Sequence, residues 1–276
     1  MVTYVSVIGA GLAGSEAAWQ LAQRGISVRL FEMRPHVRTP AHESGDFAEL
    51  VCSNSLGSLL ENAAGGLLKK ELELMDSLIL RVAKKTMVPA GGALAVDRGE
   101  FAKEVTKALL EHPKISFVNE ECREIPDGVV VIATGPLTSD SLTEVLQGLT
   151  QAENLYFFDA AAPIVVGESI DYTKGFWAAR YDKGTADYFN CPLTKEEYED
   201  FVHALVQAEV APLHDSDVAT EDLAVFEGCM PIEVMAKRGA DALRYGPFRP
   251  VGLIGPDGRR PYAVLQLRQE NTEATL

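Results

Sequence analysis

The strongest constraint on the fold of this chain is a glycine motif near its N-terminus. Residues 5–8 (Val-Ser-Val-Ile) are a short, mostly apolar run of the kind that forms a buried parallel strand. Gly9, Gly11 and Gly14 follow at the spacing that permits a tight turn, close approach of the backbone to a pyrophosphate, and close packing of the next helix. The helix N-terminus also attracts phosphate groups. The motif therefore predicts a dinucleotide site.

An acidic residue completes this motif. Glu32 follows the second strand, about 20 residues beyond the glycines, where a carboxylate can accept hydrogen bonds from both ribose hydroxyls. A carboxylate there disfavours a 2′-phosphate, so FAD or NAD is favoured over NADP. The alternative is an ordinary strand–turn–helix unit with a surface glutamate. The predicted cofactor-binding residues of this unit are Gly9, Ala10, Gly11, Leu12, Ala13, Gly14 and Glu32.

A second apolar strand ends in small residues. Residues 129–132 are Val-Val-Val-Ile, and Ala133, Thr134 and Gly135 follow them. Ligands of doubly wound sheets bind outside the carboxyl ends of the strands. We therefore add these three residues to the predicted cofactor site, and we interpret the chain up to about residue 149 as one α/β nucleotide-binding unit.

Local patterns predict three helices beyond the motif. An apolar stripe of Leu68, Leu72, Met75, Leu78, Ile79 and Val82 predicts one core-packing helix over residues 67–85. Asp97 with Glu100, and Thr194 with Glu197, form capping pairs that start two further helices, which we expect to end near residues 111 and 209.

Composition excludes several classes of protein. The net charge of −15 argues against a generally basic nucleic-acid binder, no apolar run is long enough to span a membrane, and the histidines and cysteines lack metal-site spacing. We expect a cytoplasmic protein with reduced thiols and no metal. One region is locally basic, and it is either a partner-binding face or an ordinary solvated surface. Its residues are Lys237, Arg238, Arg244, Arg249, Arg259, Arg260 and Arg268.

Two of the four cysteines lie in unusual surroundings. Cys52 stands among small polar residues, and Cys229 lies between Gly228 and Pro231. A thiolate on such a turn could act as a nucleophile, although from the residues alone an inert, buried cysteine is the more common explanation of each. Cys122 and Cys191 have no special setting, and we interpret them as structural.

Longer motifs resemble one enzyme family. Residues 9–16, 49–56, 190–194, 226–233 and 262–270 are similar to those of TrmFO, the folate- and FAD-dependent tRNA (uracil-5-)-methyltransferases of bacteria. The resemblance implies an α/β fold in which a Rossmann-type FAD-binding domain (residues 1–190) carries an inserted α/β substrate domain (residues 191–276). Family members are longer, so we expect the inserted domain to be incomplete and Cys229 to be displaced or loosely held.

The resemblance also implies a reaction. A methylene group passes from 5,10-methylenetetrahydrofolate through reduced FAD to C5 of the T-loop uridine of tRNA, NAD(P)H supplies the reducing equivalents, and the product is 5-methyluridine. Cys229 would attack C6 of the uracil, and Cys52 would lie beside the flavin, with Ser53 and Asn54 also binding the cofactor. The alternatives are another FAD-dependent oxidoreductase, a wobble-uridine tRNA-modifying flavoprotein of the GidA type, or an inactive nucleotide-binding fragment.

Overall fold

The structure, a computed structural model, describes residues 4–150, 164–209 and 232–272. The strands are β1 (Tyr4–Ile8), β2 (Ser27–Phe31), β3 (Ser55–Ser58), β4 (Met87–Val88), β5 (Ala93–Val96), β6 (Ile115–Val118), β7 (Val129–Ile132), β8 (Phe176–Trp177), β9 (Tyr188–Leu193) and β10 (Ala263–Arg268). The helices are α1 (Leu12–Gln23), α2 (Ala64–Leu74), α3 (Leu78–Lys85), α4 (Arg98–Leu110), α5 (Asp140–Thr150), α6 (Lys195–Gln207), α7 (Ile232–Lys237) and α8 (Ala242–Tyr245).

A parallel sheet with the strand order β6-β2-β1-β7 forms the centre of the first unit, which is the α/β unit predicted up to about residue 149. β1 pairs in parallel with β2 on one side and with β7 on the other. Helix α1 buries Ala18, Trp19 and Ala22 in the core that also contains Val5 and Val7 of β1. This arrangement confirms the predicted α/β class with a parallel sheet.

The prediction of a single helix over residues 67–85 is wrong. Asp76 adopts a left-handed φ of 54° and ends the helical path, so α2 and α3 are separate helices. The Ser77 side chain then caps α3 by accepting a hydrogen bond from the Leu80 amide. Glu16 of α1 accepts hydrogen bonds from the Ser77 hydroxyl and the Ile79 amide, so the break also ties α3 to the glycine-motif helix.

The residues of the predicted apolar stripe are buried to different extents in α2 and α3. Leu78 and Val82 of α3 lie in the core, as the apolar stripe predicts. Leu68 in α2 and Met75 after it remain 55% and 52% exposed. Leu72 of α2 also packs against this core, so only part of the predicted stripe in α2 is buried.

A small antiparallel sheet with the order β3-β5-β4 lies beside the first sheet. β3 begins immediately after residues 52–54, so this sheet fixes one end of the loop that carries Cys52. Asp97 follows β5 and caps α4 by accepting a hydrogen bond from the Glu100 amide, as its sequence pattern predicts.

The third sheet, with the order β10-β9-β8, is antiparallel and packs with α6, α7 and α8. Tyr198, Leu243 and Phe248 form the buried centre of this second unit. The predicted capping box of Thr194 and Glu197 is present at the start of α6. Strand β9 runs across the predicted domain boundary between residues 190 and 191, and β8 precedes that boundary in the same sheet.

Candidate dinucleotide site

The glycine motif forms a tight turn between β1 and α1. Gly9 has a φ of +93°, and a Cβ at this position would lie 2.8 Å from the Ala133 carbonyl oxygen. A Cβ at Gly14 would lie only 1.8 Å from the Gly9 carbonyl oxygen, so α1 can approach the turn only because Gly14 has no side chain. A Cβ at Gly11 would meet nothing within 4 Å. The close contacts at Gly9 and Gly14 therefore require glycine in the turn, whereas Gly11 leaves open space above it.

A cavity of about 250 Å³ opens beside this turn. Ligand pockets usually measure about 300–1,000 Å³, so this cavity has room for only part of a dinucleotide-sized ligand. Ala10 and Gly14, two of the predicted cofactor-binding residues, do not line the cavity. The predicted cofactor-binding residues that line it are Gly9, Gly11, Leu12, Ala13, Glu32, Ala133, Thr134 and Gly135.

Glu32 is buried and fully engaged in hydrogen bonds. One carboxylate oxygen accepts from the Ala10 amide (3.0 Å) and from Arg34 Nη2 (3.1 Å), and the other accepts from Arg34 N and Nε (both 3.0 Å). Burial alone would raise the pKa of Glu32, but the hydrogen bonds and charge of Arg34 outweigh it and lower the pKa. Four bonds use the acceptor capacity of a carboxylate. Ribose binding by Glu32 stays a prediction, and it requires one of these bonds to be exchanged.

Arg34 links Glu32 to a second carboxylate. Arg34 Nη1 donates to Glu49 Oε2 at 3.2 Å, and both side chains are largely buried. The side-chain amide of Asn119 donates to the backbone carbonyls of Glu32 and Arg34, which fixes the end of β2. Sequence analysis did not identify Arg34 as a site residue, although a cation two residues after the motif acid was a usable signal.

The opposite wall comes from the end of β7. The Ala133 amide donates to the Ile8 carbonyl at 2.8 Å, which brings residues 133–135 against the glycine turn. Cys122 also lines the cavity, and its thiol donates to the Glu124 carbonyl. Burial raises the pKa of Cys122, so the thiol form is favoured there. The structure thus places this cysteine at the candidate site, although the sequence suggested only a structural role.

Of the loop that carries Cys52, Glu49 and Val51 line the cavity, whereas Cys52, Ser53 and Asn54 do not. Cys52 is exposed, Ser53 accepts a hydrogen bond from Arg268, and Asn54 is fully buried. Asn54 donates through its amide to the backbone carbonyls of residues 269 and 270. Cofactor binding by Ser53 and Asn54, and a catalytic role for Cys52, therefore stay predictions. Cys229 lies outside the described residues.

The locally basic region divides into two groups. Arg244 Nε donates to the Tyr262 carbonyl at 3.0 Å, and its guanidinium lies 4.2 Å from the centre of the Tyr262 ring. Arg268 donates to Ser53, so both arginines have structural contacts. The exposed members are Lys237, Arg238, Arg249, Arg259 and Arg260.

Comparison with known proteins identifies the family. The sequence profile described as "Glucose inhibited division protein A" matches residues 4–276. The chain belongs to this family. Within the glucose inhibited division protein A family, the curated relatives it matches are named methylenetetrahydrofolate--tRNA-(uracil-5-)-methyltransferase TrmFO. The protein of Lysinibacillus sphaericus (strain C3-41) is 57% identical over 273 residues, and that of Desulfitobacterium hafniense (strain Y51) is 58% identical over 275 residues.

These alignments confirm the resemblance to TrmFO. Each covers 99% of this chain but 62% of the relative, so the chain spans less than two thirds of the length of those proteins. The crystal structure of GidA from Aquifex aeolicus (form II) matches with a TM-score of 0.56 at 14% identity, covering 77% of this chain and 44% of that one. This second likeness supports the fold alone.

Across residues 4–150, 164–209 and 232–272, no group of histidine, cysteine and acidic side chains could hold a metal ion. In the same described ranges, no helix has the length and apolar character needed to cross a membrane.

Proposed function

We propose that this protein binds FAD and contributes the flavin-binding part of a TrmFO-type methyltransferase. The observation that carries the proposal is the 57% identity to TrmFO over 99% of the chain, which includes the glycine turn that forms the cavity. An unrelated flavin oxidoreductase would account for the cavity. It would not account for similarity that continues through the second unit.

The described residues suit the adenosine and pyrophosphate end of FAD. The open space above Gly11 and the amides at the start of α1 would receive the pyrophosphate, since a helix N-terminus attracts anions. Glu32 would meet the ribose, with Arg34 holding the carboxylate ionised in its buried position. Bound FAD would supply the carrier for the one-carbon group, and NAD(P)H would keep it reduced.

Flavin binding is tested directly on this chain. The purified protein is incubated with FAD, desalted and scanned for the visible absorbance of a flavin, with FMN as the control. We expect retention of FAD and no retention of FMN, because FMN lacks the adenosine half that the turn and Glu32 would bind. Equal retention of both cofactors, or of neither, would contradict the proposed cofactor site.

The two cysteines would divide the chemistry in a protein of the relatives' full length. Cys229 would add to C6 of the T-loop uridine, at tRNA position 54, which makes C5 nucleophilic. Cys52 would act beside the flavin. We expect Cys229→Ala to abolish the covalent complex with tRNA containing 5-fluorouracil, and Cys52→Ala to retain FAD but block methyl transfer from 5,10-methylenetetrahydrofolate. A methyl group supplied by S-adenosylmethionine alone would refute the reaction.

The exposed basic residues would contact tRNA phosphates. Arg249, Arg259 and Arg260 lie in the second unit and are exposed, whereas Arg244 is committed to Tyr262. Reversing the three exposed charges should weaken binding of a T-arm RNA hairpin and flatten its salt dependence, because each lost phosphate contact reduces counterion release. Reversing three exposed lysines of the first unit, Lys103, Lys107 and Lys114, is the control because it changes the net charge by the same amount. Equal weakening by the control would remove this face from the proposal.

A further inference from the structure

The five residues that include and follow the end of β10 (residues 268–272, here called the strap) lie across the loop that carries Cys52. On the C-terminal side of Cys52, Arg268 Nη2 donates to Ser53 Oγ at 2.9 Å. Asn54 Nδ2 donates to the next two strap carbonyls at 3.0 and 3.1 Å. Three hydrogen bonds therefore tie the two residues after Cys52 to one short segment.

The N-terminal side of the loop is tied to the same segment through Arg98. Arg98 Nη1 donates to the Leu50 carbonyl at 3.3 Å, and Arg98 Nε forms an ion pair with Glu270. Neighbouring Asp97 accepts hydrogen bonds from the amide and hydroxyl of Thr272, both at 3.1 Å. The strap is thus held at both ends, and residues on both sides of Cys52 depend on it.

Asn54 is the most constrained residue of this contact. Its side chain is completely buried, and its backbone carbonyl accepts a hydrogen bond from the Val96 amide. Among the described residues its Oδ1 has no hydrogen-bond partner, so the two bonds from Nδ2 are what its buried amide gains from this position. A side chain held in this way has one orientation. It therefore fixes the distance between the loop and the strap.

The strap continues strand β10, which pairs with β9 over six residues. The Cys52 loop is consequently joined by hydrogen bonds to the sheet of the second unit. We propose that Asn54 and Arg98 are positioning residues that hold Cys52 through the strap. The proposal rests on the proposed function only in giving Cys52 a place beside the flavin.

The thiols of this chain provide the test. The rate of alkylation of each cysteine by iodoacetamide is measured by mass spectrometry of its peptide in wild type, Asn54→Ala and Glu270→Gln, together with amide hydrogen exchange of residues 49–58. We expect both variants to speed alkylation of Cys52 by about threefold or more, because losing a hydrogen bond shifts a local equilibrium by about that factor. Rates at Cys122 and Cys191 should stay at the wild-type value, and amide exchange should rise in the Cys52 loop.

Glu104→Gln is the matched control. Glu104 lies on α4, the helix that begins with Arg98, and it forms an ion pair with the exposed Lys85, so the variant makes the same chemical change away from the strap. Unchanged Cys52 reactivity in Glu270→Gln would overturn the proposal, as would equal acceleration of Cys52, Cys122 and Cys191 or an equal effect of Glu104→Gln. If Asn54→Ala does not fold, Glu270→Gln alone decides. The assay contains no flavin, folate or RNA, so its result is separate from that of the proposed function.

Discussion

Adding one methyl group at Gly14 should destabilise the protein through the glycine turn. A Cβ there would lie 1.8 Å from the Gly9 carbonyl oxygen, and real Cβ contacts are essentially never below 3.0 Å, so the backbone has to move by at least 1.2 Å (3.0 minus 1.8). Alanine is otherwise favoured over glycine within a helix by about 1 kcal/mol. Overpacking costs about 1–3 kcal/mol, and more where the backbone has to shift.

We therefore expect Gly14→Ala to lower the free energy of unfolding by about 1–2 kcal/mol net, which corresponds to a Tm lower by about 2–8 °C for a chain of this size. Thermal unfolding followed by circular dichroism measures this change. Trp19 fluorescence gives a second probe on the same helix, because Trp19 is buried in α1.

Gly11→Ala is the matched variant, because it adds the same methyl group only three residues earlier in the chain, at a position without a steric clash. Gly11 has a φ of −70°, and its Cβ would meet nothing within 4 Å, so stability should change by no more than about 0.5 kcal/mol. FAD binding should nevertheless weaken by about tenfold or more, because the methyl group occupies the space proposed for the pyrophosphate. A Gly14→Ala protein as stable as Gly11→Ala would refute this account of the turn.

Two further predictions concern buried polar groups. Arg34→Met should destabilise the protein by about 3–5 kcal/mol, because it leaves buried carboxylates without their counter-charge. Above the ordinary glutamate pKa of 4.5, the lowered pKa of Glu32 stabilises the wild type, and this stabilisation is lost as the pH falls through the folded-state pKa. In Arg34→Met, Arg34 no longer opposes the effect of burial, so the pKa of Glu32 rises and the ionised carboxylate destabilises the fold at neutral pH. Protonation of Glu32 relieves this destabilisation as the pH falls, so the Tm difference between wild type and variant should narrow toward acid pH. The Tyr198 hydroxyl donates to a carbonyl at 2.8 Å and accepts from the Arg244 amide at 3.0 Å. Tyr198→Phe should therefore cost about 1–3 kcal/mol in the second unit, seen as faster amide exchange in α8 with unchanged exchange in β1.

Sequence analysis predicted the features whose hydrogen bonds are local. The turn at Gly9–Gly14 and the caps at Asp97 and Thr194 each form within a few residues, so the residue types at fixed spacing are sufficient evidence for them. The error over residues 67–85 has the same origin. An apolar stripe continues through Asp76 and Ser77, whereas the left-handed Asp76 and the Ser77 cap divide the helix.

The amino-acid sequence by itself determined the α/β class, the glycine turn and the family to which the chain is similar. Only the tertiary structure showed that Arg34 joins Glu32 to Glu49 inside the site, and that Asn54 binds the strap more than two hundred residues later in the chain. These contacts depend on where the strands and loops come together in space. The pairs that are distant in sequence, Arg34 with Glu49 and Asn54 with the strap, leave no periodicity or spacing in a single sequence, because the folding of the whole chain brings the partners within hydrogen-bonding distance.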